Sequence, residues 1–321
     1  MDRGTAGAVH ITIKARGLGW QNAVMETRAF GKTDMRVSVL GFGGSEIGFM
    51  NVPQEEVNRL LNAALDAGLN VLDTAECYAD SEEKIGRAVG HRRDSFYLFT
   101  KCGHTSGLEG EDWEPKMLAR SIDRSLQRLK TDRVDLIQLH SCEESILRQG
   151  DVIEVLQRAK EAGKTRYIGY SGDRNDAVYA LECGAFDALQ TSVNIADQEP
   201  ITLTLPLAVE KQIGVIAKRP VANVAWREIP EKNAYSRFYW ERLQELKYDF
   251  TEREMDDVVS IALRFTLAQP GVCTAIVGTT KPERWQSNAR LLNAGPLSPG
   301  EIDAIRQRWR EVAPADWVGQ G

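Results

Sequence analysis

From Val39 onward the chain alternates short apolar runs with longer segments whose apolar residues recur every three to four positions. The short runs cover residues 39–43, 70–74, 96–101, 135–140, 167–171, 188–194, 214–218 and 274–278. They have the length and near-continuous apolarity of strands buried on both faces. The longer segments, 54–67, 82–89, 115–129, 152–162, 176–183, 201–211, 252–268 and 282–292, have helical periodicity. Gly68, Gly163, Gly184, Gly214 and Gly271 follow helices as stop signals. Strands alternating with helices build βαβ units and a parallel sheet, and eight such pairs close a barrel. The rival is a doubly wound open sheet, which should carry a Gly-x-Gly-x-x-Gly turn after an early strand. Gly41-Phe-Gly-Gly44 lacks that spacing. The prediction is an α/β chain forming a TIM (β/α)8 barrel over residues 25–321.

Ahead of the barrel, residues 28–39 hold Gly31-Lys-Thr-Asp34 between two short runs and predict a β-hairpin. Residues 1–24 are expected to be a disordered extension, without the apolar core of a signal peptide. The alternative there is a short strand over the alternating stretch 9–14. The longest irregular connection runs over 221–250 and carries Trp226, Tyr235, Phe238, Tyr239 and Trp240. A loop of that length inside a compact domain is usually functional. Trp226 and Trp240, with the tail at Trp317, are therefore expected to wall a substrate pocket.

Composition narrows the function. Apolar residues make up 42%, enough for a core, and the formal net charge of -6 argues against an unaided grip on nucleic acid. No apolar stretch has the length of a membrane span. Five cysteines show neither a CxxC pair nor a disulfide framework, which fits a reducing cytoplasm. Four histidines form no HExxH motif, so no metal site is expected. The sequence does not specify an oligomeric state.

Three of the apolar runs end in titratable groups: Asp73, Lys101 and His140, with Tyr78 just past the first. If the three strands are neighbours, these groups converge at the carboxyl mouth of the barrel, where such folds carry their chemistry. A free phenol titrates near ~10 and a nearby ammonium favours its ionised form. Lys101 can be that ammonium and Asp73 can hold it. His140 can donate to a substrate oxygen, and Tyr78 can act as general acid. A carbonyl receiving a hydride is such an oxygen. Each residue also has a plainer alternative: a helix cap at Asp73, a solvent-reaching lysine, a core histidine, a loop tyrosine. The plainer alternatives weaken because all four recur at one end of consecutive strands.

The segment Asp73-Thr-Ala-Glu-Cys-Tyr78-Ala-Asp-Ser-Glu-Glu-Lys-Ile-Gly86, with Thr100-Lys101 and Leu139-His140, resembles the signatures of the aldo-keto reductases. Ala79 stands where the family usually has glycine. The resemblance covers roughly residues 25–313. It implies a TIM barrel that reduces a small-molecule carbonyl with NAD(P)H, with Asp73, Tyr78, Lys101 and His140 in the roles above. It also implies cofactor contacts. Gly44 and Ser45 match positions at the nicotinamide end, against the alternative of a plain tight turn. Ser171 and Gln190 match the carboxamide positions, although Gly172 stands where asparagine usually follows. Gly278, Thr279, Lys281, Arg284 and Asn288 match the adenosine-phosphate segment, with Ser287 in place of the usual acid or amide. Lys281 and Arg284 favour a 2′-phosphate, hence NADPH, against the alternative of a solvated basic helix end. Arg219 matches a pyrophosphate contact. Lys218 departs from the aromatic that usually stacks on the nicotinamide; either another aromatic such as Trp226 takes over or hydrogen bonds alone hold the ring. Some relatives are channel regulatory subunits that use the cofactor as a redox sensor, the alternative to an enzyme. Cys77, Cys102 and Cys142 neighbour the four residues and are expected to be packing residues. The alternative is a thiol whose oxidation inhibits, at Cys77 or Cys142, since alternation turns Cys102 away from Lys101.

Overall fold

The alternating pattern closes on itself. In a computed structural model, which describes residues 25–227 and 234–319, eight parallel strands form a closed barrel. The expectations for residues 1–24, including the strand over 9–14, lie outside the described residues, as does the Tyr235 side chain. A hairpin of β1 (Thr27–Ala29) and β2 (Arg36–Ser38) comes first. The barrel follows as β3 (Leu40–Gly43), β4 (Val71–Asp73), β5 (Tyr97–Cys102), β6 (Val134–His140), β7 (Thr165–Ser171), β8 (Ala188–Ser192), β9 (Gly214–Lys218) and β10 (Val272–Val277). Each strand pairs with its neighbour in sequence, and β10 closes onto β3.

Two apolar layers follow from strands buried on both faces. Outside, strand residues such as Leu72, Leu98, Ile137 and Ile168 pack against the helices. Inside, Val71, Phe99, Leu136, Ala188 and Ile216 meet Phe30, Met35 and Val37 of the hairpin, which plugs the floor of the barrel. Gly214 is needed for that plug rather than for a helix stop. A Cβ there would lie 2.7 Å from the Phe30 ring. Gln212, with φ of 54°, takes the left-handed turn expected of this glycine. Gly68, Gly163, Gly184 and Gly271 do adopt positive φ.

Two expectations change and one helix is added. The segment 201–211 is two helices, Glu199–Leu203 and Leu205–Glu210, because Pro206 has no N–H to continue the first. The connection over 221–250 is not one irregular loop: Ala234–Leu246 is a helix. Tyr239 on it is buried, and its hydroxyl donates to Asp197 Oδ2 at 3.1 Å. A last helix, Pro299–Val312, opens with a capping box between Ser298 and Glu301. Its Ser-x-x-Glu signature was present in the sequence. Among the described residues no helix is long and apolar enough to cross a membrane.

Asp197 couples this packing to pH. Burial, then the charge of Asp173, pushes its carboxyl up to about 7. An unfolded aspartate ionises near ~3.9. Between those values the folded chain keeps a proton that the unfolded chain has lost, so stability falls as pH rises towards about 7. Asp197→Asn removes that loss. Its gain in urea midpoint over the parent should be larger near pH ~8 than near pH ~5.

Candidate active site

Parallel pairing carries the three strand-end groups to one mouth. Asp73 ends β4 and faces Gly43 and Phe99; Lys101 is in register with Gln138 on β6; His140 ends β6 opposite Ser171. Lys101 is almost wholly buried, and its Nζ donates to Asp73 Oδ1 at 2.5 Å and to the Thr74 carbonyl at 2.9 Å. The same ammonium lies 5.1 Å from the centre of the Tyr78 ring. Tyr78 meets His140 edge-on at 5.7 Å. The four residues expected from the sequence therefore stand together.

The turn that presents Tyr78 is tight. Ala79 adopts φ of 46°, in the left-handed region that favours glycine. The short helix Ser45–Phe49 presses on this turn: a Cβ on Gly48 would lie 2.1 Å from the Tyr78 carbonyl oxygen. Gly44 is equally constrained, since a Cβ there would sit 2.8 Å from Ser81 Oγ and 3.0 Å from the Asp73 carbonyl.

Burial opposes charge on Lys101, but Asp73 and Tyr78 beside it hold the ammonium above the usual lysine range. His140 behaves oppositely. Burial, then the positive charges of Lys101, Lys218 and Arg219, holds its imidazole well below the usual histidine range. At neutral pH His140 is thus an uncharged ring that can donate a hydrogen bond but holds no proton to give. Its Nδ1 lies 3.4 Å from Cys77 Sγ. Burial, then the charge of Glu76, pushes the Cys77 thiol up to about 12. A thiol that stays protonated is a poor target for oxidants. Cys102 turns towards the Gln138 carbonyl, and Cys142 is fully buried.

Some of the surrounding residues escaped the sequence analysis. Gln138 Nε2 donates to Asp73 Oδ2 at 3.3 Å and to Gln190 Oε1 at 3.0 Å, and Gln190 Nε2 reaches Asp73 Oδ1 at 3.4 Å. Gln138 shares an alternation face with His140, two residues on, and that spacing was the available signal. A wall of rings runs Phe49, Tyr78, His140, His104, Trp113, with successive centroids 5.7, 5.7, 5.6 and 5.4 Å apart. His104 is fixed by Asp112 at 2.9 Å, and its backbone N–H donates to Glu76 at 3.0 Å. Trp113 covers Gly103, where a Cβ would lie 2.3 Å from the indole. Of the aromatics expected to form a wall, Trp226 is half-buried against the core clusters beneath the helices, Trp240 lies on the exposed side of its helix, and Trp317 packs on Trp309 and Arg242.

The residues matched to cofactor contacts divide in two. Ser171 Oγ and Asn288 Oδ1 are buried with no hydrogen-bond partner among the described residues, so both have capacity for a ligand. Lys281 is the N-cap of the helix Pro282–Leu291, Thr279 Oγ1 accepts its N–H at 3.1 Å, and Arg284 lies in the first turn. Ser45 opens the helix after Gly44, and Gly278 packs against Glu46. Gln190, by contrast, is engaged with Asp73 and Gln138. Lys218 has also found a protein partner: its ammonium is 3.0 Å from Asp173 Oδ2. Against the effect of burial, Lys218 and the bonds from Ser192 and Thr191 keep the Asp173 carboxyl below the usual range. Arg219, at φ of 56°, donates to Ser192 Oγ at 3.0 Å.

Known proteins resemble this chain in sequence and fold. Residues 39–310 match the profile of the Aldo/keto reductase family. The oxidoreductase YqkF of Bacillus subtilis is 30% identical over 305 residues, spanning 89% of this chain and 97% of that protein. An NADH-specific methylglyoxal reductase of Escherichia coli is 25% identical over 88% of this chain and 98% of its own. The holo form of aldo-keto reductase AKR11C1 from Bacillus halodurans superposes with a TM-score of 0.79 at 28% identity, covering 91% of this chain and 99% of that one.

Proposed function

This chain belongs to the aldo/keto reductase family, oxidoreductases acting on carbonyls, and from that premise we propose that it reduces an aldehyde or ketone to an alcohol with NADPH, Tyr78 supplying the proton. The observation that carries the proposal is the position of one buried ammonium, bound to Asp73 at 2.5 Å and lying 5.1 Å from the Tyr78 ring centre.

The nicotinamide, when bound, supplies the hydride to the carbonyl carbon. Tyr78 gives its hydroxyl proton to the carbonyl oxygen as negative charge develops there. Lys101 stabilises the phenolate left behind, and Asp73 with the Thr74 carbonyl keeps the ammonium in place. His140, kept uncharged, donates its remaining N–H to the same oxygen and orients it. Because His140 has no spare proton, the acid's work falls to Tyr78. Gln138 and Gln190 hold the Asp73 carboxylate from the barrel interior. Ser171 and Asn288, with unused hydrogen-bonding atoms, would hold the carboxamide and the adenine. Gly44, Ser45, Gly278, Thr279 and Arg219 would border the nicotinamide and the phosphates. The substrate would lie against Phe49, His104 and Trp113.

Lys281 and Arg284 suit a 2′-phosphate, because one is the N-cap and the other lies in the first turn of a helix whose N-terminal backbone N–H groups can bind an anion. NADPH should therefore bind at least about tenfold more tightly than NADH, which corresponds to about 1.4 kcal/mol. Titration of both cofactors checks this. In Lys281→Ala/Arg284→Ala the two affinities should become equal through loss of NADPH binding. An unchanged preference in that variant would remove these residues from the phosphate site.

A further inference from the structure

Three metal-ligating groups meet beside Tyr78 at the carboxyl mouth of the barrel. One carboxylate oxygen of Glu76, the Cys77 sulfur and a ring nitrogen of His140 all lie within 4.8 Å of one another. Cys77 Sγ and His140 Nδ1 are 3.4 Å apart. A tetrahedral ion with bonds of about 2.3 Å to sulfur and about 2.05 Å to nitrogen holds those two atoms about 3.5 Å apart. The pair thus already has the bite of a metal site. Glu76 is 1% exposed; its Oε1 accepts from the His104 N–H, while Oε2 has no partner among the described residues. A hydrogen bond between thiol and imidazole explains the 3.4 Å contact but leaves that buried oxygen unsatisfied. An ion ligated by Oε2 together with the sulfur and the ring nitrogen would account for both.

We propose that Glu76, Cys77 and His140 form an inhibitory site for a borderline-soft divalent cation such as zinc or cadmium. A sulfur, nitrogen and oxygen donor set selects such ions over magnesium and calcium, which prefer oxygen alone. On binding, the Cys77 S–H bond breaks as the sulfur–metal bond forms. That proton, with any held by Glu76, goes to solvent, and no oxidation state changes. The ion clamps the imidazole by Nδ1 and adds positive charge next to Tyr78. Binding needs nothing from the proposed reaction; the inhibition rests on the ion holding the His140 ring away from the position in which it donates to the substrate oxygen in the reaction proposed above. Sequence spacing could not reveal this site, because Glu76 and Cys77 lie in the loop after β4 and His140 at the end of β6.

Cadmium titration of the full chain tests the proposal, read by the ultraviolet charge-transfer absorption of a cadmium–thiolate bond and, separately, by carbonyl turnover. One equivalent should produce the absorption and lower turnover about tenfold or more, and a chelator should restore it. Magnesium should do neither. Cys77→Ser should retain metal-free turnover within about threefold yet bind cadmium at least about tenfold more weakly. Glu76→Gln should weaken binding in the same direction, and Cys183→Ser, at the other partly buried cysteine, should leave it unchanged. Absorption and inhibition that persist in Cys77→Ser, or no absorption at one equivalent, would overturn the proposal. Because the absorption needs no turnover, failure of the site and failure of the proposed reaction give different results.

Discussion

Replacing Tyr78 by phenylalanine should lower turnover of carbonyl reduction about 10²–10⁴-fold, the contribution of a positioned general acid. The ring contacts of Tyr78 with Phe49, His140 and the Lys101 ammonium are made by the aromatic body, so phenylalanine can keep them. What disappears is the one hydroxyl proton that can quench a nascent alkoxide. His140 cannot replace it, since burial and the nearby charges of Lys101, Lys218 and Arg219 keep its ring uncharged. Cofactor affinity should stay within about threefold, well under about 1.4 kcal/mol. Steady-state turnover and a binding titration on the same preparation separate the two effects. A variant that binds cofactor and turns over at the parental rate would take the acid's role from Tyr78.

Replacing Lys101 by methionine should be costly in two ways at once. Asp73 and Lys101 are each only 1% exposed, so deleting the ammonium leaves a buried carboxylate without its counter-ion. Breaking a buried pair in this way destabilises by about 3–5 kcal/mol. Turnover should fall as well, because the phenolate loses its stabilising charge. The second variant Lys101→Met/Asp73→Asn separates the effects. With the carboxylate replaced by a neutral amide, no unpaired charge is left buried and one of Gln138 and Gln190 can still donate to the remaining side-chain oxygen at position 73, so much of the stability should return. Turnover should not. Urea unfolding without cofactor measures the first effect and NADPH oxidation the second.

The barrel was legible because each βα pair writes its own period into a short stretch, and eight such stretches have one economical closure. The three strand-end groups were legible for the same reason: neighbouring parallel strands in register carry Asp73, Lys101 and His140 to one mouth. Features that depend on loop paths were not. The Phe49 to Trp113 ring wall uses residues from a five-residue helix and from the loop after β5, neither of which has a period to detect. The aromatics of 221–250 looked like a wall because their helical spacing is weak; Tyr239 is in fact committed to Asp197 in the core. Lys218 shows the limit most clearly. Its identity revealed that a stacking aromatic was absent, but only the structure reveals Asp173, far away in sequence, as its partner at 3.0 Å. Ala79 is the reverse case. Its departure from glycine was visible in the sequence, and its φ of 46° supplies the reason glycine suits that turn.

The proposed reaction joins a hydride delivered to carbon with a proton delivered by Tyr78 to oxygen. Product analysis with NADPH carrying deuterium at the transferable position tests that union most directly. Across a panel of aldehydes and ketones, at least one alcohol should form with one deuterium on its carbinol carbon for each cofactor oxidised, and Tyr78→Phe should bind the same cofactor and form almost none. Tight cofactor binding with no labelled alcohol from any carbonyl, or equal labelling by the variant, would contradict the account.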